Sequence, residues 1–420
     1  MERLVIKGGN VLRGTVEVSG AKNSALPILC ASILTADKVK LFNMPNKIED
    51  VRVQIDMLKS IDAHVTTEND MVVIESSSAR DQQVIMDKKR GVRTSLLLLG
   101  SMLGRFGRAR VPLPGGDNIG ERKFDLHIYA LERLGAKVRV TDDGFLDAEC
   151  AGLKGAEIEF PIRTTGGAEN AMIAACLARG TTVIKNAYTR PEVVDLANFL
   201  NDMGAKITIK GSGHIEVEGV TELHGTNYTI IPDSVEAFTY IVATALTKGD
   251  VEIKRCPVDD LEVPIIFLRE SGVNSYKGSD SLLVTRNRLI TAFDLSTGPY
   301  PGINTDFQAL FAVFATQAEG KSRITDIIRF AERFRFTEEL NKMGAHITIE
   351  DNVATIGGET RLKGCQVSAL DIRAGAALIV AGLCAEGETI IDNVYQIDRG
   401  YERIEEKLRG LGAEIHRIGE

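Results

Sequence analysis

The sequence predicts an α/β protein in which six copies of one helix–turn–strand unit fold as two domains of three copies each. Three observations carry this expectation: a small turn recurring at nearly constant spacing, six helical segments that are apolar on almost every side, and a length of 420 residues. That length exceeds what one hydrophobic core usually supports, so more than one domain is expected.

The turns are Ile61-Asp62-Ala63, Leu134-Gly135-Ala136, Met203-Gly204-Ala205, Ser271-Gly272-Val273, Met343-Gly344-Ala345 and Leu411-Gly412-Ala413, spaced by 73, 69, 68, 72 and 68 residues. Each has the same physical logic. A glycine just past a helix supplies the positive φ that a C-terminal cap needs, and a period-2 run such as Lys206-Ile207-Thr208-Ile209 follows as a strand. A repeat of this kind is the first thing to seek in a long chain. Its period is long for an open solenoid, which favours closed domains.

A second helix is expected in each copy, over residues 25–34, 95–103, 168–178, 235–246, 307–318 and 374–385. Helices apolar nearly all round are buried, so each domain should hold helices in its interior with sheets and amphipathic helices around them. The strand-like residues 3–8 precede the first complete copy. A closed repeat can use its first strand to complete its last copy, which assigns residues 1–21 to the C-terminal half. The expected domains are 22–229, and 1–21 with 230–420.

Composition excludes several classes. Hydrophobic residues make up 44% and charged residues 26%, ordinary for a globular protein, and no apolar run has the length of a membrane span. Met1 to Ile6 enter a strand-like alternation without the layout of a signal peptide, so the cytoplasm is expected. The six cysteines form no C-x-x-C pair and the six histidines no H-E-x-x-H, so neither a disulfide framework nor a zinc site is signalled. A formal net charge of −8 argues against broad binding to nucleic acid, and any anion site must be local.

Local cations do recur where buried helices begin. Lys22 in Gly20-Ala21-Lys22-Asn23-Ser24, Arg93 in Gly91-Val92-Arg93-Thr94-Ser95, and Arg163 in Arg163-Thr164-Thr165-Gly166-Gly167 stand at equivalent places. Uncapped N–H groups and the helix dipole attract anions there. Asn23 or Ser24 reads as an N-cap. Asp371-Ile372-Arg373 and Asp398-Arg399-Gly400-Tyr401 continue the pattern in the last copy. One such cation reads as structural, and five read as sites for phosphate and carboxylate. The Pro112 to Arg122 stretch, with two prolines and three glycines, is either a plain connection or a mobile loop closing over substrate. Asp117 within it would need burial or a nearby phosphate to act as an acid, because cations lower a carboxyl pKa. Asp306 opens the fifth buried helix as either a helix cap or a general base.

At these residues the chain resembles the enolpyruvyl transferase family, and within it the branch that acts on UDP-N-acetylglucosamine at the start of peptidoglycan synthesis. The resemblance runs the whole length. It is most specific at Ser19 to Ser24, Leu113 to Gly120, Asn304 to Ala309 and Tyr395 to Arg403. It implies two inside-out α/β barrel domains, each of three βαβαββ repeats, with the active site between them. The implied reaction converts phosphoenolpyruvate and UDP-N-acetylglucosamine into the enolpyruvyl ether and phosphate, with no metal or organic cofactor and neither nucleic acid nor membrane as partner. By the same resemblance Lys22, Arg122 and Arg399 match the phosphoenolpyruvate site, and Arg93, Arg333 and Arg373 match further cleft arginines. Asn23 and Asp306 match sugar contacts, Asp306 being the implied base, and Asp371 matches an active-site acid. Lys22, Asp117, Asp306 and Arg399 are the implied catalytic set.

The departures fall mainly on the nucleotide-sugar pocket. Lys123-Phe124-Asp125-Leu126 stands where the family has Pro-Val-Asp-Leu, Arg163 with Thr165, Gly166 and Gly167 replaces a shorter phosphate-contacting stretch, and Ile328 to Arg333 carries an apparent insertion. Asp117 replaces the loop cysteine of many members, the target of fosfomycin, so insensitivity to that antibiotic is expected. Two alternatives to this reading are an enolpyruvyl transferase with a different nucleotide or sugar acceptor, and a non-catalytic paralogue.

Overall fold

The computed structural model describes residues 2–87, 90–115, 123–211, 213–285, 289–327 and 333–419. Two compact units emerge from the described residues of Gly20–Gly116 with Arg122–Ile231, and of Met1–Ser19 with Pro232–Glu420. Each has its own apolar core.

The third copy displays the repeat in full. A leading strand, Glu157–Thr164, runs into the buried helix Gly166–Ala175 and then into strand Thr181–Ala187, parallel to the first. The amphipathic helix Pro191–Asp202 follows, and the hairpin Lys206–Lys210 and His214–Glu218 completes a four-stranded sheet. Among the described residues there are five such four-stranded sheets and one of three strands, whose fourth place is taken by a single parallel bridge from Gln83 to Arg110.

The buried helices are Lys22–Ala31, Leu97–Phe106 and Gly166–Ala175 in one unit, and Ser234–Leu246, Gln308–Thr316 and Ile372–Cys384 in the other. They lie where the all-round apolar pattern requires. Every residue of Gln308–Thr316 is buried, and so is every residue of Lys22–Ala31 except Asn23. Fully burying one Leu, Ile or Phe side chain contributes about 1.5–3 kcal/mol, so these helices anchor their units.

All six turns close in one way. The last residue of each turn donates its N–H to the carbonyl of a leucine five positions back: Ala63 to Leu58, Ala136 to Leu131, Ala205 to Leu200, Val273 to Leu268, Ala345 to Leu340 and Ala413 to Leu408, at 2.9–3.2 Å. Each of those leucines is buried. The glycines take φ between 92° and 102°, and Asp62, the one non-glycine, takes 67°. This is the Schellman arrangement, in which the left-handed residue satisfies the last carbonyls of a helix.

Among the described residues the chain crosses between units in two places between a leading strand and the helix that follows it. Strand Arg13–Glu17 pairs in parallel with Asp250–Lys254, although the next helix, Lys22–Ala31, belongs to the other unit. Reciprocally, Asn227–Thr229 pairs in parallel with Lys38–Phe42 before the chain enters Ser234–Leu246. Strand Arg3–Lys7 lies between Glu388–Asp392 and Glu414–Ile418, antiparallel to both, and completes the last sheet.

Candidate functional site

In the unit holding residues 20–231, the buried helices begin without a cap from the residue just before them, although in the third the Gly167 N–H donates to Thr164 Oγ1 at 3.2 Å. The residues before Lys22, Arg93 and Gly166 are Ala21, Val92 and Thr165, and none accepts a capping hydrogen bond. Ser24, expected as a cap with Asn23 as the alternative, lies inside the first turn instead. Its hydroxyl donates to Asp195 of helix Pro191–Asp202, because burial leaves that carboxylate in need of a donor. Lys22 is itself buried, and its Nζ lies 3.1 Å from Asp50 Oδ2. Asn23 beside it is half-buried.

Helix Glu49–Ser60 ties the first two starts together. Asp50 and Gln54 share a face one turn apart; Asp50 meets Lys22, and Gln54 Oε1 accepts from Thr94 Oγ1 at 2.9 Å. Arg93, next to Thr94, opens the turn leading into Leu97–Phe106 and donates to the Lys123 carbonyl at 2.5 Å. Lys123 and Asp125 are exposed, whereas Phe124 and Leu126 are half-buried.

Asn170 ties the second start to the third. Its Oδ1 accepts from the Gly100 N–H at 3.0 Å and its Nδ2 donates to the Leu96 carbonyl at 3.0 Å. That orientation presents Nδ2 to His127 Nδ1 at 3.2 Å, so Nδ1 is the acceptor and Nε2 carries the ring proton of the neutral imidazole. His127 occupies the place of a Gly166 side chain: a Cβ there would lie 2.8 Å from Nε2. Gly167 is similarly packed on Thr164. Both glycines are therefore needed for close packing at this helix start. Arg163 departs from the expected pattern. It is exposed within strand Glu157–Thr164, ahead of the helix rather than at its start, because the strand runs to Thr164.

Glu169, in the first turn of this third helix, was not anticipated. Burial raises its pKa to about 8, opposed by the charge of Arg190 and reinforced by that of Glu192. The Arg190 guanidinium holds Glu192 through two bonds of 2.7 Å.

In the other unit the buried helix starts are capped. Asp233 accepts from Val235 and Glu236, Asn304 from Asp306, and Asp371 from Arg373 and Ala374. Asn304 thus performs the capping that Asp306 was one candidate for. The Asp306 carboxylate is shared between two guanidiniums, Arg333 Nη2 at 2.8 Å and Arg373 Nη2 at 3.3 Å. The turn carrying Asp306 is fixed from beneath by Asp326, fully buried, which accepts from Thr305 Oγ1 at 2.6 Å and Thr297 Oγ1 at 3.2 Å. Desolvation disfavours the Arg373 charge, yet its pKa is raised overall, by Asp306 first and then by Tyr401 and Asp233.

Arg399 is buried at the end of the short helix Tyr395–Asp398 and donates Nη1 to Gln396 Oε1 at 3.1 Å. Glycines bring this segment against the start of Ile372–Cys384: a Cβ at Gly400 would meet Ile372, and one at Gly375 would meet Ile397. Asp306, Arg333, Asp371, Arg373 and Arg399 are therefore gathered around one helix start. Asp117, Arg122 and Ile328 lie outside the described residues. Asp50, Asp326 and Glu169 were missed, since a carboxylate in an ordinary helical or strand-end context gives no local signal of its partner. Among the described residues no group of three or more His, Cys, Asp or Glu could hold a metal ion, and no helix is long and apolar enough to cross a membrane.

One unit carries lysine- and arginine-bearing helix starts suited to anions, and the other, by itself, holds a carboxylate between two arginines. Comparison with known proteins agrees with this chemistry. The family model described as EPSP synthase (3-phosphoshikimate 1-carboxyvinyltransferase) matches residues 6–408. A UDP-N-acetylglucosamine 1-carboxyvinyltransferase of Magnetococcus marinus is 44% identical, and one designated 2 from Carboxydothermus hydrogenoformans is 43% identical, each over 100% of both chains. Among solved structures, the enolpyruvyl transferase NikO from Streptomyces tendae superposes with a TM-score of 0.89 at 26% identity over 99% of both chains. EPSP synthase from Acinetobacter baumannii gives 0.79 at 17% over 100% of both, a likeness of fold. Matched across its six repeats by that model and end to end by those relatives, the chain belongs to the enolpyruvyl (1-carboxyvinyl) transferase family.

Proposed function

We propose that the chain transfers the enolpyruvyl group of phosphoenolpyruvate to the 3-hydroxyl of UDP-N-acetylglucosamine, releasing phosphate, as a cytoplasmic step at the start of peptidoglycan synthesis. The observation that carries this reading is end-to-end similarity, at 44% identity, to a relative named for that transfer. The site chemistry supports it. Lys22, Arg122 and Arg399 take the phosphate and carboxylate of phosphoenolpyruvate, with Arg93 adding positive charge. Asn23 and Asp306 take the sugar, while 123–126, 163–167, Ile328, Arg333, Asp371 and Arg373 shape the remainder.

Asp117 protonates the methylene carbon, developing positive charge at the carbon that bears the phosphate. Asp306 accepts the hydroxyl proton as the new C–O bond forms. The Asp117 carboxylate then takes a proton back from the methyl group of the tetrahedral adduct as the C–O bond to phosphate breaks, and phosphate leaves with that bond's electron pair. Fixed cations lower the barrier because they are already in place to meet the negative charge that grows on the departing phosphate. Asp117 also makes the enzyme insensitive to fosfomycin, because a carboxylate attacks an epoxide less readily than a thiolate does.

Phosphate release with phosphoenolpyruvate and a panel of acceptors tests the reading. Release with UDP-N-acetylglucosamine is expected; none with it, or release only with another acceptor, overturns the assignment. Asp117→Asn should slow turnover by about 100-fold or more, and near-normal activity would remove Asp117 from the mechanism. Intact mass after fosfomycin treatment should show no adduct.

A further inference from the structure

Arg399 is followed in space by an ion network that the proposed chemistry leaves unused. Strand Glu414–Ile418 carries Arg417, whose guanidinium meets Asp398 twice, Nη1 to Oδ2 at 2.8 Å and Nη2 to Oδ1 at 2.7 Å. Its Nε donates to Glu405 Oε1 at 2.8 Å, and Nη1 reaches Glu2 at 2.9 Å. Asp398 immediately precedes Arg399 and ends the short helix Tyr395–Asp398. Both of its oxygens are thus directed onto the last strand.

Within the internal repeat this position carries an arginine in one copy alone. Four residues after the residue that ends each turn, copies one, two, three and five carry Thr67, Val140, Ile209 and Ile349, all uncharged, and copy four carries Lys277, an ammonium paired with Asp259. The sixth copy, the one bearing Arg399, carries Arg417 at that position. It shares the strand face of buried Ile415. A planar fork suits the task, since a guanidinium binds a carboxylate through two parallel bonds, which an ammonium cannot do.

We propose that Arg417 is a positioning residue for Arg399: by engaging both oxygens of Asp398, together with Glu405, it keeps the adjacent carboxylates on the C-terminal strand and directs the positive charge of Arg399 to a substrate anion. A carboxylate one residue away, once released, would compete with phosphoenolpyruvate for that charge. The inference rests on the proposed function for the identity of the anion.

Steady-state kinetics on the full chain test it, using Arg417→Gln, Asp398→Asn and the double variant, with phosphate release as readout. Arg417→Gln should raise KM for phosphoenolpyruvate about tenfold, equivalent to about 1.4 kcal/mol. Its kcat and its KM for UDP-N-acetylglucosamine should stay within about threefold. Adding Asp398→Asn should restore most of the lost affinity, because the competing charge is gone. A structural role would instead leave the double variant as impaired as the single one, and that outcome overturns the proposal, as does an unchanged KM in Arg417→Gln. Should Arg417→Gln fail to fold, Arg417→Lys keeps the charge without the fork; it should show a smaller rise that Asp398→Asn again reverses, and no reversal overturns the proposal. A wild-type protein that releases no phosphate fails the functional reading; an active wild type without rescue fails only this inference.

Discussion

Asp306 balances two arginines with one carboxylate, and the three side chains are nearly buried, at 10–14% exposure. Replacing it with Asn keeps the shape and removes both the proposed proton acceptor and the counter-charge. Loss of a general base costs about 100- to 10,000-fold in rate, so Asp306→Asn should reduce kcat by that much when assayed well below its melting temperature. Two nearly buried guanidiniums left with an amide should also lower the melting temperature. A kcat within tenfold of wild type would remove Asp306 as the base. Glu169 makes a different prediction. Its pKa, about 8 in the folded chain through burial, lies above the usual value near 4.3 of an unfolded glutamate. The folded state therefore binds more protons between those values, and the stability linked to Glu169 is intact below about pH 4 and is lost as pH rises through 8. Glu169→Gln should leave the melting temperature near wild type at pH 5 and raise it by a few degrees at pH 8.5. Equal shifts at both pH values would refute the linkage.

The six turns are the element on which stability and legibility meet. Gly204 sits at φ 98°, where a side chain would also meet the His224 ring at 3.1 Å, so Gly204→Ala should cost about 1–2 kcal/mol in urea denaturation. Asp62, at φ 67° in the equivalent place, should show the reverse, Asp62→Gly gaining about 0.5 kcal/mol; a loss there would mean that its ion pair with Arg80, 3.7 Å from Nε to Oδ2, outweighs the strain relieved. These turns were legible because their cause is local: the leucine, the glycine and the alternation lie within about ten residues of each other. Helix starts were less so. Asn23 and Ser24 have the right side chains for a cap, but Ser24 bonds to Asp195, 171 residues away, and no local pattern encodes that. Arg163 was displaced from its expected helix start for a related reason, since its strand extends to Thr164 by pairing with Ala187. The cationic position Lys22 could be read from sequence, whereas its partner Asp50 belongs to tertiary packing.

On the scale of the whole molecule, the repeat gave the number and order of copies, because a spacing near 70 residues survives any rearrangement of loops. It did not give the exchange of leading strands. Arg13–Glu17 and Asn227–Thr229 each pair with a strand of the unit that the chain is about to leave, and turn spacing is blind to that choice. The same closure brings the ends of the chain together, since Arg3 lies opposite Ile418 in an antiparallel pair whose Cα atoms are about 5 Å apart. A linker of about four Gly and Ser residues therefore spans the ends. New ends can open between Asp142 and Asp143, an exposed turn joining strands Lys137–Val140 and Phe145–Glu149. Such a circular permutant keeps every strand pairing and should fold with native circular dichroism and activity within about tenfold of wild type, as surface openings usually permit. Deleting residues 1–8 should do the opposite. It removes the strand on which both Glu388–Asp392 and Glu414–Ile418 pair, exposes buried Leu4 and Ile6 contacts, and detaches the strand that holds Arg417. The shortened chain should be insoluble or lack cooperative melting, and a soluble, active deletion variant would show that the last sheet does not depend on the first strand.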